Sequence, residues 1–157
     1  MSSNDDSKSF GSNAKKPGII SQEFTNDTRL GKQISEASPE GKRQLNDHLR
    51  ISDMAYNDRA KFLEETRGNR ETKEFSRLQE RYINNPALRP DTPESIKNDI
   101  EIMRDDAKSN VAQRDERNLA DLKKVSKTMT YAILKEDRQR TQSHTQAHGD
   151  HQPEQER

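Results

Sequence analysis

The apolar residues between 39 and 84 recur at intervals of three, four and seven, which is the spacing of one face of an α-helix. The first part of this stripe consists of Leu45, Leu49, Tyr56, Ala60 and Leu63, and it resumes with Phe75, Leu78 and Tyr82. Gly68 lies between the two parts, and a glycine weakens a helix by about 1 kcal/mol. We therefore expect two helices, at about 39–66 and 70–84, or one helix kinked near Gly68.

A second stripe follows and has the same spacing. Its members are Ile96, Ile100, Met103, Ala107 and Val111, and then Leu122, Val125, Met129, Ala132 and Ile133. No Gly or Pro occurs between 94 and 137, so we predict one long helix from 93 to about 137. The step of eleven residues from Val111 to Leu122 interrupts the apolar pattern and shifts the register of a coiled-coil-like seam.

Each stripe begins at a helix-start signal. Ser38 and Thr92 are each followed by Pro and Glu, so a hydroxyl can cap the helix and proline occupies its first position. Two prolines between 84 and 91 require a connection there. Because this connection is short, we expect the second helical segment to fold back on the third as a helical hairpin. The contacts expected across it join Phe75, Leu78 and Tyr82 to Ile96, Ile100 and Met103.

The two ends of the chain are polar, and the whole chain is poor in apolar residues. Hydrophobic residues make up 26% of it, against about 45–50% in ordinary globular domains. We expect an all-α interaction domain at 38–137 between disordered arms at 1–37 and 138–157. Within the first arm, Ile20 and Phe24 are four residues apart, so we predict a docking segment that folds only against a partner.

Candidate chemistry is sparse in this sequence. The chain has no cysteine and no glycine-rich phosphate loop. His144, His148 and His151 have helical spacing, but Gly149 and Pro153 argue against a helix there. A working carboxylate needs burial to tune its pKa, and this chain offers little interior. We expect no enzyme activity, no cofactor, no metal site and no small-molecule substrate.

The predicted function is protein–protein interaction, as an adaptor, a chaperone-like partner or a coiled-coil oligomer that binds another protein or a second copy of itself. The residues expected to carry it are Ile20, Phe24, Leu122, Val125, Met129 and Ile133. Neither a membrane-spanning run nor a secretory signal is visible, so we expect a cytoplasmic protein without a membrane partner.

Two alternatives remain open. The first is an accessory nucleic-acid-binding protein, because four bases recur at steps of three and four along one helix face, namely Arg70, Lys73, Arg77 and Arg81. The second is an effector or transported substrate that carries signals in its polar ends.

Overall fold

The computed structural model describes residues 18–85, 87 and 93–151, with side chains for 18–85, 87 and 94–143. Within this part the chain forms four helices and no strand: α1 (Ile19–Asn26), α2 (Thr28–Ser35), α3 (Pro39–Ile83) and α4 (Pro93–His151). The predicted all-α fold with one long C-terminal helix is therefore confirmed.

Helix α3 begins where the sequence predicts. The Ser38 hydroxyl accepts a hydrogen bond from the Gly41 amide at 3.0 Å, and Pro39 is the first helical residue. The helix then continues through Gly68 to Ile83 without a break, so the prediction of separate segments at 39–66 and 70–84 is wrong. A single glycine costs a helix about 1 kcal/mol, and contacts with α4 on both sides of Gly68 offset that cost.

The chain divides into two compact units, and each contains a segment of α3 and a segment of α4. The first unit comprises the described residues up to Asn57 together with those from Leu122 onwards, and the second is Asp58–Asp121. Within each unit the two helices run antiparallel, which confirms the predicted hairpin. Four pairs show this direction: Ser38 with Asp137 and Ser52 with Ser126 in the first unit, and Arg67 with Asp115 and Phe75 with Arg104 in the second. The expected apolar contacts of Phe75, Leu78 and Tyr82 with Ile96, Ile100 and Met103 stay predictions.

The N-terminal helices α1 and α2 correct the predicted boundary of the first arm at residue 37. Ile20, Phe24 and Leu30 of these helices are buried in a core cluster with Leu45, Leu49 and Leu134. Residues 1–17 of the predicted arm lie outside the described part of the chain. The apolar surface that orders residues 19–35 comes from α3 and α4, which are distant in sequence.

Local contacts explain how residues 19–35 fold although the segment contains a glycine at position 31. Asp27 caps α2, and its carboxylate accepts from the Leu30 amide at 2.9 Å. A Cβ atom at Gly31 would collide with the Thr25 carbonyl, so this glycine permits α1 and α2 to approach closely.

Helix α4 corrects the boundary of the C-terminal arm, because it continues past residue 137 to His151. Asp137 is fixed to Ser38 through two hydrogen bonds, and the Thr141 hydroxyl donates to the Asp137 carbonyl at 2.9 Å. The helix also passes Gly149, so the expectation that this glycine ends helical structure is wrong. Residues 152–157 and the side chains of His144, His148 and His151 lie outside the described part.

Candidate interaction surface

In the first unit, α3 and α4 meet at two buried serines. The Ser126 hydroxyl donates to the Ser52 hydroxyl at 2.9 Å, and His48 Nε2 lies 3.0 Å from the Ser126 carbonyl oxygen. Ser52 fills the step of seven residues between Leu49 and Tyr56 in the apolar stripe. The serine pair marks the line along which the two helices face each other.

One side of this line is covered by the N-terminal helices. The residues immediately after the two serines, Asp53 and Lys127, are rotated by about 100° around their helices. Asp53 accepts from the Ser21 amide at 3.0 Å and from the Ser21 hydroxyl at 2.5 Å, and Lys127 Nζ lies 3.8 Å from Asp27. Helices α1 and α2 therefore lie on the side of the hairpin that Asp53 and Lys127 share.

The other side of the line is open. The residues immediately before the two serines, Ile51 and Val125, are rotated by about 100° in the opposite sense, so they share the side that α1 and α2 leave uncovered. Their relative exposures are 59% and 65%. Met129, one turn after Val125, is 50% exposed, and Ala55, one turn after Ile51, is also exposed. We call the surface formed by Ile51, Ala55, Val125 and Met129 the open side.

The six predicted partner-binding residues differ in their burial. Ile20 and Phe24 are buried in the core, so the predicted docking segment does dock, but on its own chain. Leu122 and Ile133 are half-buried and pack against the same core cluster. Val125 and Met129 alone among the six are exposed, and both lie on the open side.

Ion pairs join helices α1 and α2 to the hairpin on the covered side. Lys123 Nζ lies 2.9 Å from the Glu23 carboxylate, and this hydrogen bond raises the pKa of Lys123. The same ammonium group lies 5.4 Å from the centre of the Tyr56 ring. The hydrogen bond from the Leu30 amide lowers the pKa of Asp27. On this side, bases of the hairpin therefore pair with acids of the N-terminal helices.

In the second unit, charged groups replace part of an apolar core. Asp115 is buried, with 5% of its side chain exposed, and pairs with Arg70 at 2.5 Å and Arg67 at 3.1 Å. Hydrogen bonds from Arg70 lower the pKa of Asp115, and those from Arg67 add to the effect against the opposing influence of burial. Asp115 lies four residues after Val111 and seven before Leu122. It therefore occupies the seam position where the apolar pattern was interrupted.

Glu74 is the buried acid of α3 in this unit. Its carboxylate accepts from Arg77 at 2.6 Å, Arg114 at 3.1 Å and Asn110 at 3.3 Å. The Arg77 hydrogen bond is the main cause that lowers the pKa of Glu74. Neither Glu74 nor Asp115 is among the predicted site residues, although the helical spacing of Asp115 to Val111 was a usable signal.

The basic row of the nucleic-acid alternative is partly engaged within the chain. Arg70 binds Asp115 and Arg77 binds Glu74, whereas Lys73 and Arg81 are exposed. Phosphate contacts from Arg70 would therefore have to compete with a buried carboxylate.

Comparison with known proteins gives no relative: no family model matches the chain, no curated protein matches it, and no solved structure matches it. No helix in the described ranges has the length and apolar character needed to cross a bilayer. Among the side chains that the structure describes, no three His, Asp or Glu groups are arranged to hold a metal ion.

Proposed function

We propose that the chain is a non-enzymatic, helical protein–protein interaction module that binds its partner through the open side. The observation that carries this proposal is the asymmetry of the first unit. One side of the hairpin is filled by α1 and α2, while the opposite side presents Ile51, Val125 and Met129 at exposures between 50% and 65%. Apolar side chains at helical spacing between two antiparallel helices are the kind of surface on which a further helix packs.

The energy available from this surface suits a reversible contact. Full burial of a Val, Ile or Met side chain contributes about 1.5–3 kcal/mol, and about half to two-thirds of each of these three side chains is still exposed. Covering them would contribute on the order of 1 kcal/mol each. Part of that gain offsets the freedom lost on association, so we expect a partner that binds and leaves rather than a permanent subunit.

Site-specific photo-crosslinking tests the proposal. A photoreactive phenylalanine analogue placed at Met129 should give a discrete adduct in an extract of the cells that make the protein, and a second copy as partner would double the mass. The matched control is Tyr131, which lies two residues further along α4 and about 200° around the helix. Adducts that form equally at both positions, or at neither position in a correctly folded protein, would contradict the proposal.

A further inference from the structure

The acidic residues bordering the open side suggest which kind of partner it accepts. Asp47 lies one turn before Ile51 on α3, and Glu136 lies seven residues after Met129 on α4, so helical spacing places both on this side. Asp47 has 59% of its side chain exposed, and Glu136 is also exposed.

In the first unit, two bases beside these acids are already paired. Arg43 lies 2.6 Å from Glu40 and 3.9 Å from Asp47. Arg140 lies 2.7 Å from the buried Asp137. These two bases are outnumbered by the acids near them, which are Glu40, Asp47, Glu136 and the buried Asp137. The border of the open side therefore carries a net negative charge.

The covered side shows how this hairpin accepts a helix. There, α1 inserts Ile20 and Phe24, which are four residues apart, into the core. Beside them Glu23 pairs with Lys123 at 2.9 Å. The hairpin thus recognises an apolar stripe together with charges opposite to its own border, and on the covered side the bound helix is the acidic member.

We propose that the open side binds a basic amphipathic helix of another protein, with apolar side chains three and four residues apart and Lys or Arg beside them. This inference rests on the proposed function and names the chemistry of the partner. A second copy of this chain is a poor partner for the open side for two reasons. Its α1 carries Glu23 next to its apolar stripe, and its own open side is bordered by acids, so like charges would meet in either arrangement.

The experiment uses two synthetic helical peptides with the same leucine stripe, one with lysines and the other with glutamates at the flanking positions. Binding to the full chain is measured by fluorescence anisotropy at physiological salt. The lysine peptide should bind at least about tenfold more tightly than the glutamate peptide. The double variant Asp47→Lys/Glu136→Lys should reverse that preference.

A second pair of variants separates docking from general attraction between charges. V125S/M129Q removes the two apolar side chains that α4 contributes to the open side without changing charge, and it should weaken binding of the lysine peptide by about tenfold. The matched control Ile102→Gln, at a side chain 56% exposed in the second unit, should leave binding unchanged. Circular dichroism checks that each variant keeps its helix content.

The outcomes distinguish this inference from the proposed function. Equal binding of both peptides, or lysine-peptide binding that survives V125S/M129Q, overturns the inference. If the glutamate peptide binds and depends on Val125 and Met129, the partner class is wrong while the open side remains a docking surface. If neither peptide depends on these residues and Met129 also gives no crosslink, both proposals fail.

Discussion

Truncating one residue on each side of the hairpin tests whether the core is where the structure places it. Leu134 is 2% exposed in the cluster with Ile20, Phe24 and Leu45, whereas Val125, on the same helix, is 65% exposed. We predict that Leu134→Ala strongly destabilises the protein and that Val125→Ala hardly does.

The magnitudes follow from the atoms removed and their burial. Leu→Ala deletes three carbons, worth about 0.8 kcal/mol each when buried, and the cavity left behind brings the usual cost to about 3 kcal/mol or more. Val→Ala deletes two carbons, worth about 1.6 kcal/mol if fully buried. Since only about a third of Val125 is removed from water, the expected loss for Val125→Ala is about 0.5 kcal/mol.

Urea unfolding followed by circular dichroism measures both losses. Leu134→Ala should lower the urea midpoint by about 1–2 M, and Val125→Ala by only a few tenths of a molar unit. If the two variants lose equal stability, or if Leu134→Ala stays within about 0.5 kcal/mol of the parent protein, the reasoning about covered and open sides is refuted.

Two further predictions concern charge and backbone. The pKa values of Glu74 and Asp115 in the folded protein lie below their ordinary values of 4.5 and 3.8. Their ion pairs therefore stabilise the fold fully at a pH above the ordinary values. This stability is lost as the pH falls through the lowered pKa values of the folded protein. The free energy of unfolding, measured in urea from about pH 6 to 2, should therefore drop less in an E74Q/D115N variant than in the parent protein, and equal slopes would contradict this. A Cβ at Gly41 would collide with the Asp137 carboxyl group, whereas Gly68 has nothing within 4 Å. In thermal melts, Gly41→Ala should destabilise by about 1–3 kcal/mol and Gly68→Ala should stabilise by about 0.5–1 kcal/mol, and the reverse order would be inconsistent with the structure.

The long helices could be predicted because their signals are local. Ser38 and Pro39 mark the start of α3, and Pro93 marks the start of α4. The pattern did not predict the features that depend on contacts between distant parts of the sequence. Whether residues 19–35 fold depends on the core surface that Leu49 and Leu134 provide from other parts of the sequence, and nothing within the segment reveals that surface.

The seam was also only partly predictable, since polar residues occupy several of its positions. A search for apolar residues stops at Val111 and resumes at Leu122, although Asp115 continues the spacing. A carboxylate at such a position is stable only when bases on the facing helix pair with it. Which of the chain's many bases those are, here Arg67 and Arg70, depends on the register of the hairpin.

The exposed residues of the predicted seam illustrate the same limit. The spacing of Leu122, Val125 and Met129 predicts a single apolar face, but the position of α1 and α2 decides which edge of that face is covered. Without the position of those helices, Val125 and Met129 cannot be separated from Leu122 by sequence alone.

The most direct test of the central claim, that one side of the hairpin is covered and the other is free, is thiol labelling of single-cysteine variants. Because the chain contains no cysteine, Val125→Cys and Leu30→Cys each introduce a unique thiol. We expect the thiol of Val125→Cys to react in the folded protein at nearly its rate in urea. The thiol of Leu30→Cys should react at least about a hundredfold more slowly than in urea. Comparable protection of both thiols in the native protein at every dilution would show that the Val125 side of the hairpin is not free.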